Sequence, residues 1–283
     1  MVKKEIKAEI ETFGDDRNAA LVERAEARAL KEEDMLPSET ITVVMSNKNW
    51  VRAAKGGDID GQQLNYKGGD GFKAQVASKT DQWVVFFDAI GRAYSLMGHT
   101  LPSARGMGEP LTGRFKPASG VGFETVYSAK KGSKLLVSSD AGYGFIAPFD
   151  ELLSKNKAGK SLLKLPENAQ VLIPKAVNDL DNDYIAAVTN DGRMLVFPLK
   201  DLPELPKGKG NKIINIPSAK AKSREEFVID VAVVPKGKEL KIISGKRHMS
   251  LKFSDLMHYE GERGRRGAKL PRGYQRADKL EVD

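Results

Sequence analysis

From Thr40 onward the chain alternates short apolar runs with polar turns, and the unit recurs. ITVVMSNKNWVRA (41–53), WVVFFDAIGRAYSL (83–96), KLLVSSDAGYGFIA (134–147), YIAAVTNDGRMLVF (184–197) and LKIISGKRHMSLKF (240–253) each hold an apolar strand, a turn and a second apolar strand. The turns begin near positions 46, 88, 139, 189 and 244, a period of 42 to 55 residues. Asn190-Asp191-Gly192 and Ala89-Ile90-Gly91 supply the glycine that tight hairpins favour. One small sheet cannot bury both of its own faces, so hairpins at this period predict blades around an axis. The expected fold is all-β and five-bladed; the alternative is a β-sandwich with irregular loops.

The first 36 residues have a different texture. Ile6, Ile10 and Phe13 recur at near-helical spacing in 3–12, and 19–34 is rich in Ala, Glu, Arg and Leu. Both read as helix, separated by Gly14-Asp15-Asp16 and ended by Leu36-Pro37-Ser38. The predicted organisation is a helical leader, 1–36, and a bladed domain, 37–283.

A second element follows each turn by 15 to 20 residues and pairs glycine with cations. The copies are YKGGDGFK (66–73), SARGMGEP (103–110), NKAGKSLLK (156–164), PKGKGNK (206–212) and GERGRRGAK (261–269). Equivalent loops on a ring of blades lie along one belt, so five modest basic loops become one curved cationic surface. Charge agrees. The formal net charge is +8, divided between an acidic leader and a basic body. Such a body points to a polyanion, double-stranded DNA above all, held through phosphates rather than read by base. Glycine lets the backbone approach the sugar-phosphate and offers its N–H. A convex basic rim would bend the duplex around itself. The candidate phosphate contacts are Arg263, Arg265, Arg266, Lys269 and Arg272 in the last loop, then Arg105, Arg114 and Lys116, then Lys207, Lys209 and Lys212, then Lys157 and Lys160, and finally Lys67 and Lys73.

Other chemistry is thin. There is no cysteine, hence no disulfide, thiolate metal site or cysteine nucleophile. No apolar run approaches the roughly 20 residues that span a bilayer, and the N-terminus carries no signal-type apolar stretch. A cytoplasmic, nucleoid-associated protein is expected. Gly159-Lys160-Ser161 imitates the end of a P-loop, but Ser154 stands where the leading glycine belongs. Asp179, Asp181 and Asp183 alternate as in a calcium loop without its glycine or closing glutamate, and read as a hydrated turn. His99, His248 and His258 show no ligand spacing, Asp58 and Asp60 read as turn residues, and Trp50 and Trp83 as packing.

The runs DMLPSETITVVMSNKNWVRAAKGGDID (34–60), TLPSARGMGEPLTGRF (100–115), SDAGYGFI (139–146), GRMLVFPLKDLPELPKGKGNKIINIPS (192–218) and GERGRRGAKLPRGYQRADKLEVD (261–283) resemble the C-terminal part of the DNA topoisomerase IV A-subunit, of the type IIA topoisomerase family. EIETFGDDRN (9–18) is similar to the stretch leaving that family's catalytic core, which implies that the chain begins inside a longer polypeptide. The resemblance implies a β-pinwheel, a propeller-like disc of four-stranded Greek-key blades whose basic rim binds and bends DNA and presents the transported duplex during decatenation and relaxation. It implies, as partners in the whole enzyme, the B-subunit of topoisomerase IV and a second copy of the A-subunit. ATP and Mg2+ serve that enzyme, with no cofactor in this chain, and a Muk-type condensin is a partner in bacteria that have one. The family's nucleophilic tyrosine follows an arginine, and none of the seven tyrosines here does. The gyrase branch carries a box of the form Q-R-R-G-G-K-G in its first blade. Here the first blade has KGGDG (67–71) and the nearest echo, RGRRGAK (263–269), is in the last. Two readings stand beside the DNA-bending one: gyrase-type wrapping, and a protein-interaction propeller.

Overall fold

The computed structural model describes residues 1–14 and 37–283. The chain divides into two units, Met1–Met35 and Leu36–Asp283. In the first, helix α1 (Val2–Phe13) buries no side chain and exposes Ile6, Ile10 and Phe13. The second predicted helix, 19–34, lies outside the described residues.

The second unit is five antiparallel sheets in sequence, with strands numbered in chain order. Blade 1 is built from β1 (Thr40–Ser46), β2 (Trp50–Lys55), β3 (Phe72–Lys79) and β6 (Glu109–Pro110), in the order β3-β1-β2-β6. Blade 2 repeats it with β4 (Trp83–Asp88), β5 (Arg92–Met97), β7 (Phe123–Ala129) and β10 (Lys160–Ser161). Blade 3 uses β8 (Lys134–Ser139), β9 (Tyr143–Pro148), β11 (Lys175–Val177) and β14 (Asn211–Lys212). Blade 4 uses β12 (Tyr184–Thr189), β13 (Arg193–Pro198), β15 (Val228–Val234) and β18 (Ala268–Lys269). Blade 5 has only β16 (Leu240–Ser244), β17 (Arg247–Leu251) and β19 (Lys279–Val282).

The central hairpins read as nearly unbroken apolar runs because both faces of each strand are covered. In β4, Val84 and Phe86 enter the core shared with blade 1, while Val85 and Phe87 enter the core shared with blade 3. In β12, Ile185 and Ala187 face blade 3, and Ala186 and Val188 face blade 5. Each such aromatic or aliphatic side chain contributes about 1.5–3 kcal/mol by leaving water. Tyr94 carries a polar tip into this setting; burial and its hydrogen bond to Asp88 Oδ2, 2.9 Å, push its phenol up to about 12.

Each of the first four blades takes its fourth strand from the connector that follows the next blade's hairpin. Thus β6 pairs with β2, β10 with β5, β14 with β9 and β18 with β13. The residue after each donated strand returns to the hairpin turn. Leu111, Leu162, Ile213 and Leu270 donate their N–H to the carbonyls of Asn49, Gly91, Gly142 and Gly192, and Leu163 donates to Gly91 as well. All four turn residues have positive φ, and Asn49 (φ 60) stands where the others use glycine. The expectation of four-stranded blades fails for blade 5, which among the described residues receives no donated strand.

The ring is open. Four cores join five blades, and among the described residues none joins blade 5 to blade 1. The connector after β2 is residues 56–71, about ten residues shorter than its counterparts 98–122, 149–174, 199–227 and 252–278. It cannot reach another blade and folds back on its own. Gly56 accepts a hydrogen bond from Thr42 Oγ1 (2.8 Å), Gly61 from Tyr66 Oη (2.6 Å) and Ile59 from Gln75 Nε2 (3.0 Å). At the other end the register places Lys241, Ser250 and Glu281 side by side, with Ile243, His248 and Lys279 beside them. This mostly polar face carries the ion pairs Lys241–Asp283 (2.6 Å) and Lys279–Glu281 (2.5 Å). The free edge of β17 is blunted by Tyr274, whose hydroxyl donates to the His248 carbonyl at 3.1 Å. Among the described residues, both end blades thus cover sheet surface with polar side chains or a returning segment.

Blades 3 and 5 offer a test. Gly142 (φ 80), the last residue of its turn, would place a Cβ 2.6 Å from the Ile214 carbonyl oxygen, whereas Gly245 (φ 59), the first residue of the shorter turn in blade 5, has nothing within 4 Å. Gly245→Ala is expected to cost about 1 kcal/mol for the left-handed backbone alone, and Gly142→Ala about 3 kcal/mol or more because a donated segment must also move. Urea denaturation of the two variants measures the difference.

Candidate nucleic-acid interface

The two edges of each blade face opposite ways. The third strands of neighbouring blades lie together: β3 beside β7, β11 beside β15, β15 beside β19. Ser78 Oγ meets Ser128 Oγ at 2.7 Å, and Asp230 receives Lys175 Nζ at 2.9 Å and the Leu280 N–H at 2.9 Å. These strands crowd the axis, so the donated strands form the outer rim.

Four of the five glycine-cation loops are the connectors that carry the donated strands. Each is pinned at two places. Ala104, Leu205 and Gly261 donate backbone N–H to the second strands of blades 1, 3 and 4, at Ala53, Ile146 and Val196, and Ser154 exchanges two hydrogen bonds with Ser95 in blade 2. The donated strand is the second pin, and the cationic stretch loops outward between them. The glycine before each donated strand has positive φ: Gly108, Gly159, Gly210 and Gly267. A Cβ there would strike the neighbouring blade, at 2.3 Å from the Val51 oxygen for Gly108 and 2.3 Å from the Gly144 oxygen for Gly210. Other loop glycines spend their N–H inside the protein, Gly106 on Ser103, Gly208 on Leu162 and Gly264 on Ile213. Close approach to sugar-phosphate is therefore not what these glycines are needed for; strand exchange is. The first loop, 66–73, departs from the expected equivalence: among the described residues it donates no strand to another blade.

Successive loops are joined by hydrogen bonds. Lys116 N–H donates to the Lys157 carbonyl (2.7 Å), Lys164 N–H to Gly208 (2.9 Å) and Asn215 N–H to Arg265 (2.9 Å). The first seam is made by a side chain: Arg52 Nη2 donates to the Asn65 carbonyl (2.7 Å) and Nη1 to Gly106 (3.3 Å). All five loops thus form one hydrogen-bonded belt.

The predicted cations on that belt divide by partner. Arg266 is held by Glu226, which is only 3% exposed, with Nη1–Oε1 at 2.6 Å and Nη2–Oε2 at 2.8 Å. Lys269 reaches Asp191 Oδ1 at 3.0 Å, and this bond, with Arg193 beside it, holds the Asp191 carboxyl below the usual range. Arg263 donates to the Lys212 carbonyl at 2.8 Å, and Lys212 Nζ to Asn215 Oδ1 at 2.8 Å. Arg114 pairs with Glu109 (2.6 Å), Lys160 with Glu151 (2.8 Å) and Lys73 with Glu124 (3.1 Å). Arg265 pairs with Glu262 at 2.7 Å, yet both are over 70% exposed, so water and salt screen the pair. Lys67 and Lys209 lie over the rings of Trp50 (3.5 Å) and Tyr143 (3.9 Å). Arg105, Lys116, Lys157, Lys207 and Arg272 are exposed, and among the described residues no carboxylate pairs with any of them. Lys207 does lie near enough to Glu151 to help lower that carboxyl.

Sequence reasoning passes over three belt cations. Lys155 and Lys164 are exposed within or beside the third loop. Arg52 is buried, and its one signal is a cation in the middle of the strand WVRAAK. Sequence reasoning passes over the acids too: Glu226 lies outside every motif, and Asp191 reads as a turn residue. Trp83 packs at the edge of the core between blades 2 and 3. Asp179 Oδ1 accepts the N–H of Asp181 and Asn182, a self-contained turn. Among the described residues, no group of three or more His, Asp or Glu is placed to hold a metal ion. Lys160 lies in β10, tied to Glu151, which does not fit a phosphate-loop lysine.

Comparison with known proteins places this architecture. Residues 133–178 and 183–235 match the family described as DNA gyrase C-terminal domain, beta-propeller. The chain is 54% identical over 283 residues to the DNA topoisomerase 4 A-subunit of Pseudomonas aeruginosa, and spans 38% of that relative's length. The structure of the E. coli ParC C-terminal domain is similar at a TM-score of 0.77 and 50% identity, covering 87% of this chain and 99% of that one. The DNA gyrase A C-terminal domain, at 15% identity, shares the fold with a TM-score of 0.66, over 87% of this chain and 83% of that one. No helix among the described residues is long and apolar enough to cross a membrane. With its donated strands, its five blades and its full-length match to such domains, the chain belongs to the family of C-terminal domains of the DNA topoisomerase IV A-subunit.

Proposed function

We propose that this domain binds double-stranded DNA along its outer rim and bends it around the arc, presenting a transported duplex to the remainder of a topoisomerase IV A-subunit. The observation that carries this reading is the hydrogen-bonded belt. Its joined loops carry Lys67, Arg105, Lys116, Lys157, Lys207, Lys209 and Arg265, with Arg272 exposed beyond the last donated strand, and this series supports a duplex path along the rim. Affinity arises from phosphate neutralisation and counterion release, independent of base sequence. The bend costs a few kcal/mol of elastic energy, offset by phosphate neutralisation at successive loops. Strand breakage and ATP hydrolysis, with magnesium, fall to other parts of the assembly and to its B-subunit; no tyrosine here follows an arginine. The role supported in the whole enzyme is capture of a second duplex during decatenation and relaxation at the nucleoid. Contact with a Muk-type condensin is compatible with the same chain but draws no support from the rim geometry.

Anisotropy of a labelled duplex across a salt series tests the reading. Each alanine at Arg105, Lys157, Lys207 or Arg272 should lower the slope of log K against log salt by about one unit and weaken all sequences alike. A binding isotherm without steep salt dependence would mark a protein-docking scaffold instead. Arg266→Ala is expected to act differently. It strands the buried Glu226 carboxylate, so it should cost roughly 3 kcal/mol of stability by urea melt while removing little direct DNA contact.

A further inference from the structure

We infer that Arg52 is a positioning residue that couples the first two rim loops into one DNA-contacting unit. The inference deepens the DNA-binding reading and rests on it. The other three seams of the belt are made by backbone hydrogen bonds, Lys116 to Lys157, Lys164 to Gly208 and Asn215 to Arg265. Among the described residues, no backbone bond joins 56–71 to 103–116, because the shortened connector turns back over blade 1. One side chain supplies what the backbone does not.

Arg52 is suited to this by geometry. It is 5% exposed, and its guanidinium reaches the Asn65 carbonyl on the first loop and the Gly106 carbonyl on the second. Its charged end also lies 4.8 Å from the centre of the Tyr66 ring. No carboxylate pairs with it among the described residues. A buried guanidinium without a counter-ion is costly, so the fixed fork that can hold two separate carbonyls is the feature that repays keeping it. Two positions earlier on the same face of β2, Trp50 carries Lys67 over its ring. Lys48 Nζ donates to the Gly68 carbonyl at 3.2 Å. The first loop is therefore clasped by Arg52 under Tyr66 and by Trp50 under Lys67. Gly106, the second loop's carbonyl on this clasp, is the neighbour of the exposed Arg105. Without Arg52 the two loops lose their shared anchor, and Lys67 and Arg105 no longer present as one pair.

The test is a double-mutant cycle on the full chain, read by duplex anisotropy across salt. Arg52→Met should lower the salt slope by about two units, matching the double variant Lys67→Ala with Arg105→Ala. Combining all three should cause little further loss, whereas Arg52→Met with Arg272→Ala should show the sum of both losses. Amide exchange should quicken at 65–69 and 104–107 and stay unchanged at 206–210. If Arg52→Met does not fold, Arg52→Lys keeps the aliphatic stem and one donor group, and should still lose coupling between the loops. An unchanged slope in a folded Arg52 variant, additivity with the Lys67 and Arg105 changes, or exchange that rises equally in all loops would each overturn the inference. A wild-type chain that binds no duplex overturns the DNA-binding reading and this inference together, while wild-type binding with an unaltered Arg52 variant overturns this inference alone.

Discussion

The structure depends on one backbone interaction, the two-residue strand that each connector after the first lays on the blade before it. It completes the preceding sheet and closes onto that blade's hairpin turn, and its cost is a set of left-handed residues at fixed places. Because the strand is donated backwards, it must travel around the outside, and its loop bulges from the rim. Rim loops, their spacing and their attachment to one another are consequences of that route. So is the difference at the two ends: among the described residues the last blade receives no donated strand, and the connector of the first, 56–71, sends none.

The same route organises the charge. A loop pinned at both ends needs internal ion pairs to fix its course, and several cations are consumed that way. Arg266 on Glu226, Lys269 on Asp191 and Arg224 on Asp140 each tie a connector to a segment outside it. The cations left facing solvent are interleaved with them. The most cationic stretch, 261–273, is consequently the most divided, with Arg263 and Arg266 turned to the protein and Arg265 and Arg272 to water. A count of positive residues overstates what any one loop offers a phosphate.

Blade number and hairpin positions were legible because strands buried on both faces leave long apolar runs, and the turns between them need glycine. WVVFFD serves two cores at once and could hardly be polar anywhere. The loops were legible as glycine with cation, but the reason for the glycine was not. Gly108 and Gly210 are required by a neighbouring carbonyl that is distant in sequence, and no local pattern shows it. Glu226 and Asp191 were invisible as partners for the same reason. The open ring did leave a trace, since the first two turns, near 46 and 88, are closer together than any later pair. That shortfall is the missing donor segment.

The central claim is that the five loops act as one ordered track. The chain contains no cysteine, so single cysteines at positions 67, 105, 157, 207 and 265 can each carry a photo-crosslinker without background. The account predicts crosslinks from all five positions to one end-positioned duplex, at sites that advance along the DNA in the order of the blades. Crosslinks confined to one loop, or falling along the duplex in an order unrelated to the blades, would contradict it.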